Sequence, residues 1–257
     1  MLYNSFSFLL FFPIVATFFF LLPHKIRQGY LLVVSYFFYM NWSPTYSLFL
    51  VFVTLVSYVG AQILQKFCES ENDKLRRVVL ASTLLLCFSG LFIFKYLNFL
   101  NDSLWGLFSL MGIRMEVPHL ELLLPVGISF YTFQACGYMI DVYRQQIMVE
   151  RNFCTYALFI SFFPQIAAGP IGRGKELLPQ FKVKHYLNRG DITTGLRWML
   201  WGYFMKVVVA DRLALYTDAV FGNIAHHTGL SILVAAVLFT FQIYCDFAGY
   251  SFIALGC

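Results

Sequence analysis

The sequence predicts an all-α, polytopic transmembrane helical bundle with re-entrant or broken helices, and three observations carry that prediction. The 257 residues are 60% hydrophobic and only 12% charged, with mean hydropathy +0.70, outside the range of soluble globular domains. Several apolar runs approach or exceed the roughly 20 residues that cross a hydrocarbon core of about 30 Å, and the charges gather in short segments between them. Finally, Phe162 to Arg173 reads FFPQIAAGPIGR, setting two prolines, two glycines, a glutamine and an arginine directly against an intensely apolar run. Each proline removes a backbone donor, and the freed polar groups have to face protein or a water-filled cavity, so this stretch marks a buried site.

Tyr3 to Leu22 is the first span. No Lys or Arg precedes it and no small-x-small cleavage site follows, so it reads as a retained span rather than a signal peptide. Lys25 and Arg27 come next, and the positive-inside rule puts them in the cytoplasm and the N-terminus outside. Gly29 to Met40 is a second apolar run, ending in an outer turn at Asn41, Trp42, Ser43 and Pro44. Tyr46 to Leu64 returns the chain to a cytoplasmic segment, Gln65 to Arg77, with Lys66, Lys74, Arg76 and Arg77. Val78 to Leu100 runs outward, with Lys95 placed to snorkel to the interface. Asn101 to Pro118 has too few apolar residues to cross; a short surface helix and a re-entrant segment both fit it.

Leu120 to Ile140 returns inward, broken by Pro125 and Gly127, and ends on Asp141, Tyr143 and Arg144. Phe153 to Phe163 would make only about 16 Å of helix, too short to cross. Arg151 precedes it, and Arg173, Lys175, Lys182, Lys184 and Arg189 follow, so both flanks are cytoplasmic and a re-entrant hairpin turning near Gln165 to Pro170 is the simplest topology. Asp191 to Ala210 is a span carrying Arg197 and Lys206 and closing on Asp211 and Arg212. Gly229 to Gly256 is the last, interrupted by Asp246, Gly249 and Ser251. With 13 of the 18 Lys and Arg on the inferred cytoplasmic side, the orientation is self-consistent. No repeat or low-complexity linker interrupts the chain, so residues 1–257 read as a single integral membrane domain.

Cys68, Cys87, Cys136, Cys154, Cys245 and Cys257 form no CxxC pair and have no histidine at ligand spacing, which excludes a zinc or redox motif and leaves small apolar packing residues. The net charge of +5 lies mainly in the cytoplasmic segments and suits anionic lipid headgroups; no basic groove or stacking pattern points to nucleic acid.

A charge in a membrane span costs at least about 2.5–3.5 kcal/mol at its centre, so Lys206 and Asp246 need partners or water. They line a polar cavity or form a structural ion pair, the commoner outcome in large bundles. Asp141 and Arg144, three apart, share a helical face and read best as a solvated helix end. Gln165, between Pro164 and the Gly169–Pro170 break, has an amide that either satisfies stranded backbone groups or binds a ligand. None of His24, His119, His185, His226 and His227 is well placed as a general base; all read as loop or interfacial residues.

Four separated segments then point one way: LPVGISFYTFQACGYMIDVYR from Leu124, FFPQIAAGPIGRGKELLPQF from Phe162, WGYFMKVVVADRLA from Trp201 and FQIYCDFAGYSFIALG from Phe241. Together with YFFYMNWSP and FKYLNF they resemble the membrane-bound O-acyltransferase family over nearly the whole chain. The nearest branch is the bacterial alginate O-acetylation type, related to the D-alanine transferase of teichoic acids. The resemblance implies a bundle with a tunnel or funnel through its centre in the bacterial cytoplasmic (inner) membrane. An acyl group, most simply acetyl, would move from a cytoplasmic acyl-CoA or acyl carrier protein thioester to a polysaccharide hydroxyl, with membrane lipids, an outer acyl-handling protein and the polymer as partners.

The same resemblance places Gln165, Gly169, Pro170 and Arg173 in the family's broken segment, and makes Asp246, Tyr250 and Ser251 substrate-binding or tunnel candidates. No metal or resident cofactor is implied. The family's catalytic histidine is expected beyond Cys257, so the 257 residues are expected to be the inactive N-terminal half of a longer domain. Phe252 stands where relatives usually carry the aspartate of GYSD. A transporter or channel built on Lys206 and Asp246, and a non-catalytic membrane scaffold, are the alternatives.

Overall fold

The structure, a computed structural model, describes residues 3–42, 44–69, 73–110, 125–166 and 169–257. These form helices α1 (Phe6–Leu21), α2 (His24–Met40), α3 (Pro44–Glu69), α4 (Asp73–Leu110), α5 (Ile128–Tyr143), α6 (Phe153–Ser161), α7 (Phe163–Ile166), α8 (Gly174–Lys182) and α9 (Arg189–Tyr203). A π-helix (Phe204–Ala210), α10 (Asp211–Phe221), a 3₁₀ turn (Ile224–His226) and α11 (Gly229–Gly256) complete the order. No strand occurs among the described residues, and α3, α4 and α11 are long and apolar enough to cross a membrane. Among the described residues the fold is all-helical, as the sequence predicts.

Three boundaries differ from the sequence reading. α2 starts at His24, so Lys25 and Arg27 belong to a helix rather than a loop. α4 continues to Leu110 without a proline, about 57 Å at 1.5 Å per residue, so residues 101–110 prolong that span instead of forming a separate surface helix. The remainder of the Asn101–Pro118 segment, His119 and the start of the Leu120–Ile140 run lie outside the described residues. The helix expected to end at Ala210 continues through the π-helix into α10, because nothing between Arg189 and Phe221 breaks it.

The chain forms two compact units: residues 1–34, 162–170 and 183–257, and residues 35–161 with 171–182. In the first, α11 packs against α9, the π-helix, α10 and the short α7. Lipid supplies no hydrophobic drive between helices, so close backbone approach has to hold them. Two glycine pairs seven residues apart provide it: a Cβ on Gly195 would stand 2.6 Å from the Gly256 carbonyl oxygen, and one on Gly202 2.6 Å from that of Gly249. Arg27, 8% exposed, closes the C-terminal end of α1. Its guanidinium donates to the carbonyls of Leu22 (3.0 Å), Phe20 (3.2 Å) and His185 (2.7 Å) and lies 4.9 Å from the Phe19 ring centroid.

The second unit packs α3 against α4, α5 and α6, and α8 against α5 and α6. Its core is aromatic: Tyr131, Tyr138, Tyr156 and Phe159 are fully buried, with the Tyr138 and Tyr156 rings 4.9 Å apart. Three of its polar groups are satisfied locally, whereas the Tyr131 hydroxyl is buried without a hydrogen-bond partner among the described residues. Tyr156 donates to Ser57 Oγ (2.7 Å), Glu150 N–H donates to the Tyr138 hydroxyl (2.8 Å), and Gln134 Nε2 donates to the Phe159 carbonyl (2.8 Å). Buried Glu150 also takes Lys182 at 2.5 Å, tying the end of α8 to the core.

Candidate functional site

In the first unit, the sequence-predicted residues of α11 meet a lysine delivered by the π-helix. Lys206 and Asp211 are five residues apart, which would separate them by about 140° around an α-helix. The i→i+5 ladder of the π-helix returns them to one face, and the Asp211 N–H bonds the Lys206 carbonyl accordingly. Three successive β-branched residues, Val207 to Val209, crowd that turn. Lys206 Nζ then reaches Asp211 Oδ1 at 2.8 Å and Asp246 Oδ1 at 2.6 Å. The lysine side chain is 13% exposed, and the two carboxylates are 42% and 46% exposed.

The ammonium also lies 5.3 Å from the Tyr250 ring centroid, a cation–π contact. Tyr250 packs on Tyr3, ring centroids 5.7 Å apart, and Tyr3 donates to the Phe163 carbonyl at 2.8 Å while Tyr203 donates to the Tyr3 carbonyl at 2.8 Å. Tyr3 thus links the charged cluster to the broken segment. There, Pro164 falls in the first turn of α7, where its missing N–H costs nothing. The Gly169 N–H bonds the Gln165 carbonyl at 3.1 Å, so tightly that a Cβ on Gly169 would stand 2.6 Å from Gln165 Cα. Gln165 Oε1 is buried without a hydrogen-bond partner among the described residues.

Gln165, Gly169, Pro170, Asp246, Tyr250 and half-buried Ser251 all belong to this unit. The aromatic at position 252 is explained by packing: Phe252 stacks on Trp198 with centroids 5.1 Å apart. Lys206 and Asp246 are the ion pair that the sequence reading weighed against a cavity lining. Asp211, read from sequence as a span terminus, is the member that reading missed, because an α-helical period hides a five-residue pairing. Tyr3 was missed too; an aromatic in a run of aromatics carries no local signal.

Arg173 belongs to the second unit and lines a cavity of about 800 Å³ between the C-terminal end of α5 and the first turn of α8. Asp141 and Arg144 line it as well, so the spot read as a solvated helix end is also a cavity edge. His185 contributes its carbonyl to Arg27, and His226 and His227 are exposed at the 3₁₀ turn. No group of three or more potential metal ligands occurs among the described residues.

No protein-family model matches the chain. It is 35% identical over its full length to the probable alginate O-acetylase of Azotobacter vinelandii, covering 50% of that protein. It is 33% identical to the peptidoglycan O-acetyltransferase of Helicobacter pylori, over 88% of this chain and 46% of that one. A more distant match, 24% identical over 51% of this chain and 34% of the other, is the teichoic acid D-alanyltransferase of Lacticaseibacillus rhamnosus. The chain spans about half the length of the curated relatives it matches. Its motifs and these relatives agree: along its whole length the chain is similar to alginate O-acetylases, in keeping with its resemblance to the membrane-bound O-acyltransferase family.

Proposed function

We propose that this chain is the N-terminal half of a membrane O-acyltransferase acting in exopolysaccharide acylation, such as alginate biosynthesis, in the bacterial inner membrane. The observation that carries the reading is the 35% identity to an alginate O-acetylase along the whole chain. The donor is a cytoplasmic thioester, acyl-CoA or acyl carrier protein bound, and the acyl group is acetyl. The acceptor is a polysaccharide hydroxyl reached from the outer side, with an outer acyl-handling protein receiving or presenting the group.

In that reaction a histidine beyond Cys257 takes the hydroxyl proton, the oxygen attacks the thioester carbonyl, the C–O bond forms, the C–S bond breaks, and the thiolate leaves to be protonated. This chain's part is the frame. Lys206, held by Asp211 and Asp246, keeps a nearly half-exposed carboxylate at a fixed place in the membrane, and Tyr3 and Tyr250 join it to the Gln165–Pro170 break. Such pre-set polar walls orient substrates and exclude water, whether or not they join into a tunnel. The engagement of Lys206 by both carboxylates favours a static wall over an ion path, so it speaks against a transporter; solute flux in liposomes that Asp246→Asn abolishes would reverse that preference.

The test is transfer of radiolabelled acetyl from a thioester to polysaccharide by the full-length natural protein and by residues 1–257 alone. Activity in the long form and none in the short one is expected. No transfer by the long form with either donor and its polymer would sink the acyltransferase reading, and transfer by the short form would sink the division of labour.

A further inference from the structure

The second unit carries a cavity whose lining suits a ligand more specific than solvent. Its volume of about 800 Å³ lies within the range of small-molecule sites. One wall is the face of α5 bearing Gln134, Gly137 and Tyr138; the other is the segment from Ile171 through the first turn of α8. The walls pack closely where they meet. A Cβ on Gly174 would stand 3.0 Å from the Tyr138 ring and 3.3 Å from Ile147, so the glycine lets the two segments meet without displacing either side chain. Tyr138 is itself fixed by the Glu150 N–H, and Gln134 by its bond to the Phe159 carbonyl. Gly137 has the opposite character. Nothing lies within 4 Å of a Cβ built there, so the missing side chain leaves open space inside the cavity.

The polar lining is uneven. Arg144, Arg173 and Lys175 stand exposed along the cavity, and none has an ion-pair partner among the described residues although Asp141 and Glu176 share the same lining. Two guanidiniums and an ammonium from two separate segments line one space, and none of them donates a side-chain hydrogen bond among the described residues. Arginine forks match phosphate oxygens in geometry and charge, and a phosphate would outbid water for them where two carboxylates have not.

We propose that this cavity is a phosphate-binding site in which Arg144, Arg173 and Lys175 hold the phosphate of the acyl donor. The assignment rests on the thioester-donor reading above. A phosphate next to a pantetheine thioester is common to coenzyme A and to a carrier-protein arm, so the site takes the chemistry the two share. Gly137 then provides room for the bound molecule, and Asp141 and Glu176 set the limit on how much negative charge the site tolerates.

The experiment measures binding of inorganic pyrophosphate, free coenzyme A and short-chain phosphatidylglycerol to the full-length protein in nanodiscs, with thermal unfolding as a folding control. Pyrophosphate and coenzyme A should bind and weaken as salt rises. Arg144→Gln and Arg173→Gln should each cost about tenfold in affinity, the loss expected for one charge-assisted hydrogen bond. Gly137→Leu should block coenzyme A without lowering the unfolding temperature, and Glu176→Gln should tighten binding. Unchanged affinity in both arginine variants and in Gly137→Leu would overturn the site. Binding of phosphatidylglycerol alone, lost in the same variants, would overturn the donor assignment by making the ligand a lipid headgroup. The function reading fails separately: acetyl transfer with an unchanged donor KM in the arginine variants refutes this site and leaves the activity standing, whereas phosphate binding with no transfer does the reverse.

Discussion

Gly202→Ala should loosen the contact between α9 and α11 and lower stability, although alanine is the better helix former. The added Cβ would stand 2.6 Å from the Gly249 carbonyl oxygen and 2.8 Å from both Ile253 N and Cγ1. Two of these three atoms are backbone, so no rotamer change relieves them. Ordinary contact begins near 3.4 Å, so the helices would have to part by about 0.8 Å, an overpacking distortion of the kind that costs about 1–3 kcal/mol. Removing glycine from a helix returns about 0.5–1 kcal/mol, leaving a net loss of up to about 2.5 kcal/mol. At roughly 2–4 °C per kcal/mol for a chain of this size, thermal unfolding in detergent should shift down by up to about 10 °C. Gly29→Ala in α2 is the matched control: nothing lies within 4 Å of its Cβ, so the same substitution should raise stability slightly. If Gly202→Ala proves as stable as Gly29→Ala, glycine-mediated approach is not what holds α9 on α11.

Three further outcomes are expected. Lys206→Met leaves Asp211 and Asp246 facing each other and should cost about 1–3 kcal/mol, less than the roughly 3–5 of a fully buried pair because each carboxylate is nearly half exposed; adding Asp211→Asn should recover part of it in chemical unfolding. Gln165→Leu removes a buried oxygen that has no partner among the described residues and should change stability by less than about 1 kcal/mol; a larger loss on unfolding would make the glutamine structural, and a fall in acetyl transfer at unchanged stability would make it functional. Arg27→Leu strands the carbonyls of Leu22, Phe20 and His185 and should cost about 2–3 kcal/mol. Limited proteolysis around residues 183–188 should then accelerate, and an unchanged cleavage rate would refute the capping role.

Composition and the spacing of apolar runs by themselves determined the fold class, because a chain this apolar can satisfy its backbone in lipid only as helices or a closed barrel. The FFPQIAAGPIGR break was legible for the same reason: proline and glycine act locally, and the tight turn of Gly169 on Gln165 is their consequence. The family resemblance, too, was legible, since motifs in order survive without coordinates. The partners were not. That Lys206 pairs with Asp211 as well as Asp246 depends on π-helical winding, which the α-helical period conceals. That Gly195 and Gly202 meet Gly256 and Gly249 depends on the antiparallel register of two helices far apart in sequence. That Arg173 shares a cavity with Asp141 and Arg144 in one unit, while Gln165 belongs to the unit of the Lys206 cluster, is not visible in the sequence, where the two stand eight residues apart. Local chemistry is written residue by residue; which distant residues share a space is set by packing, and only the tertiary structure contains it.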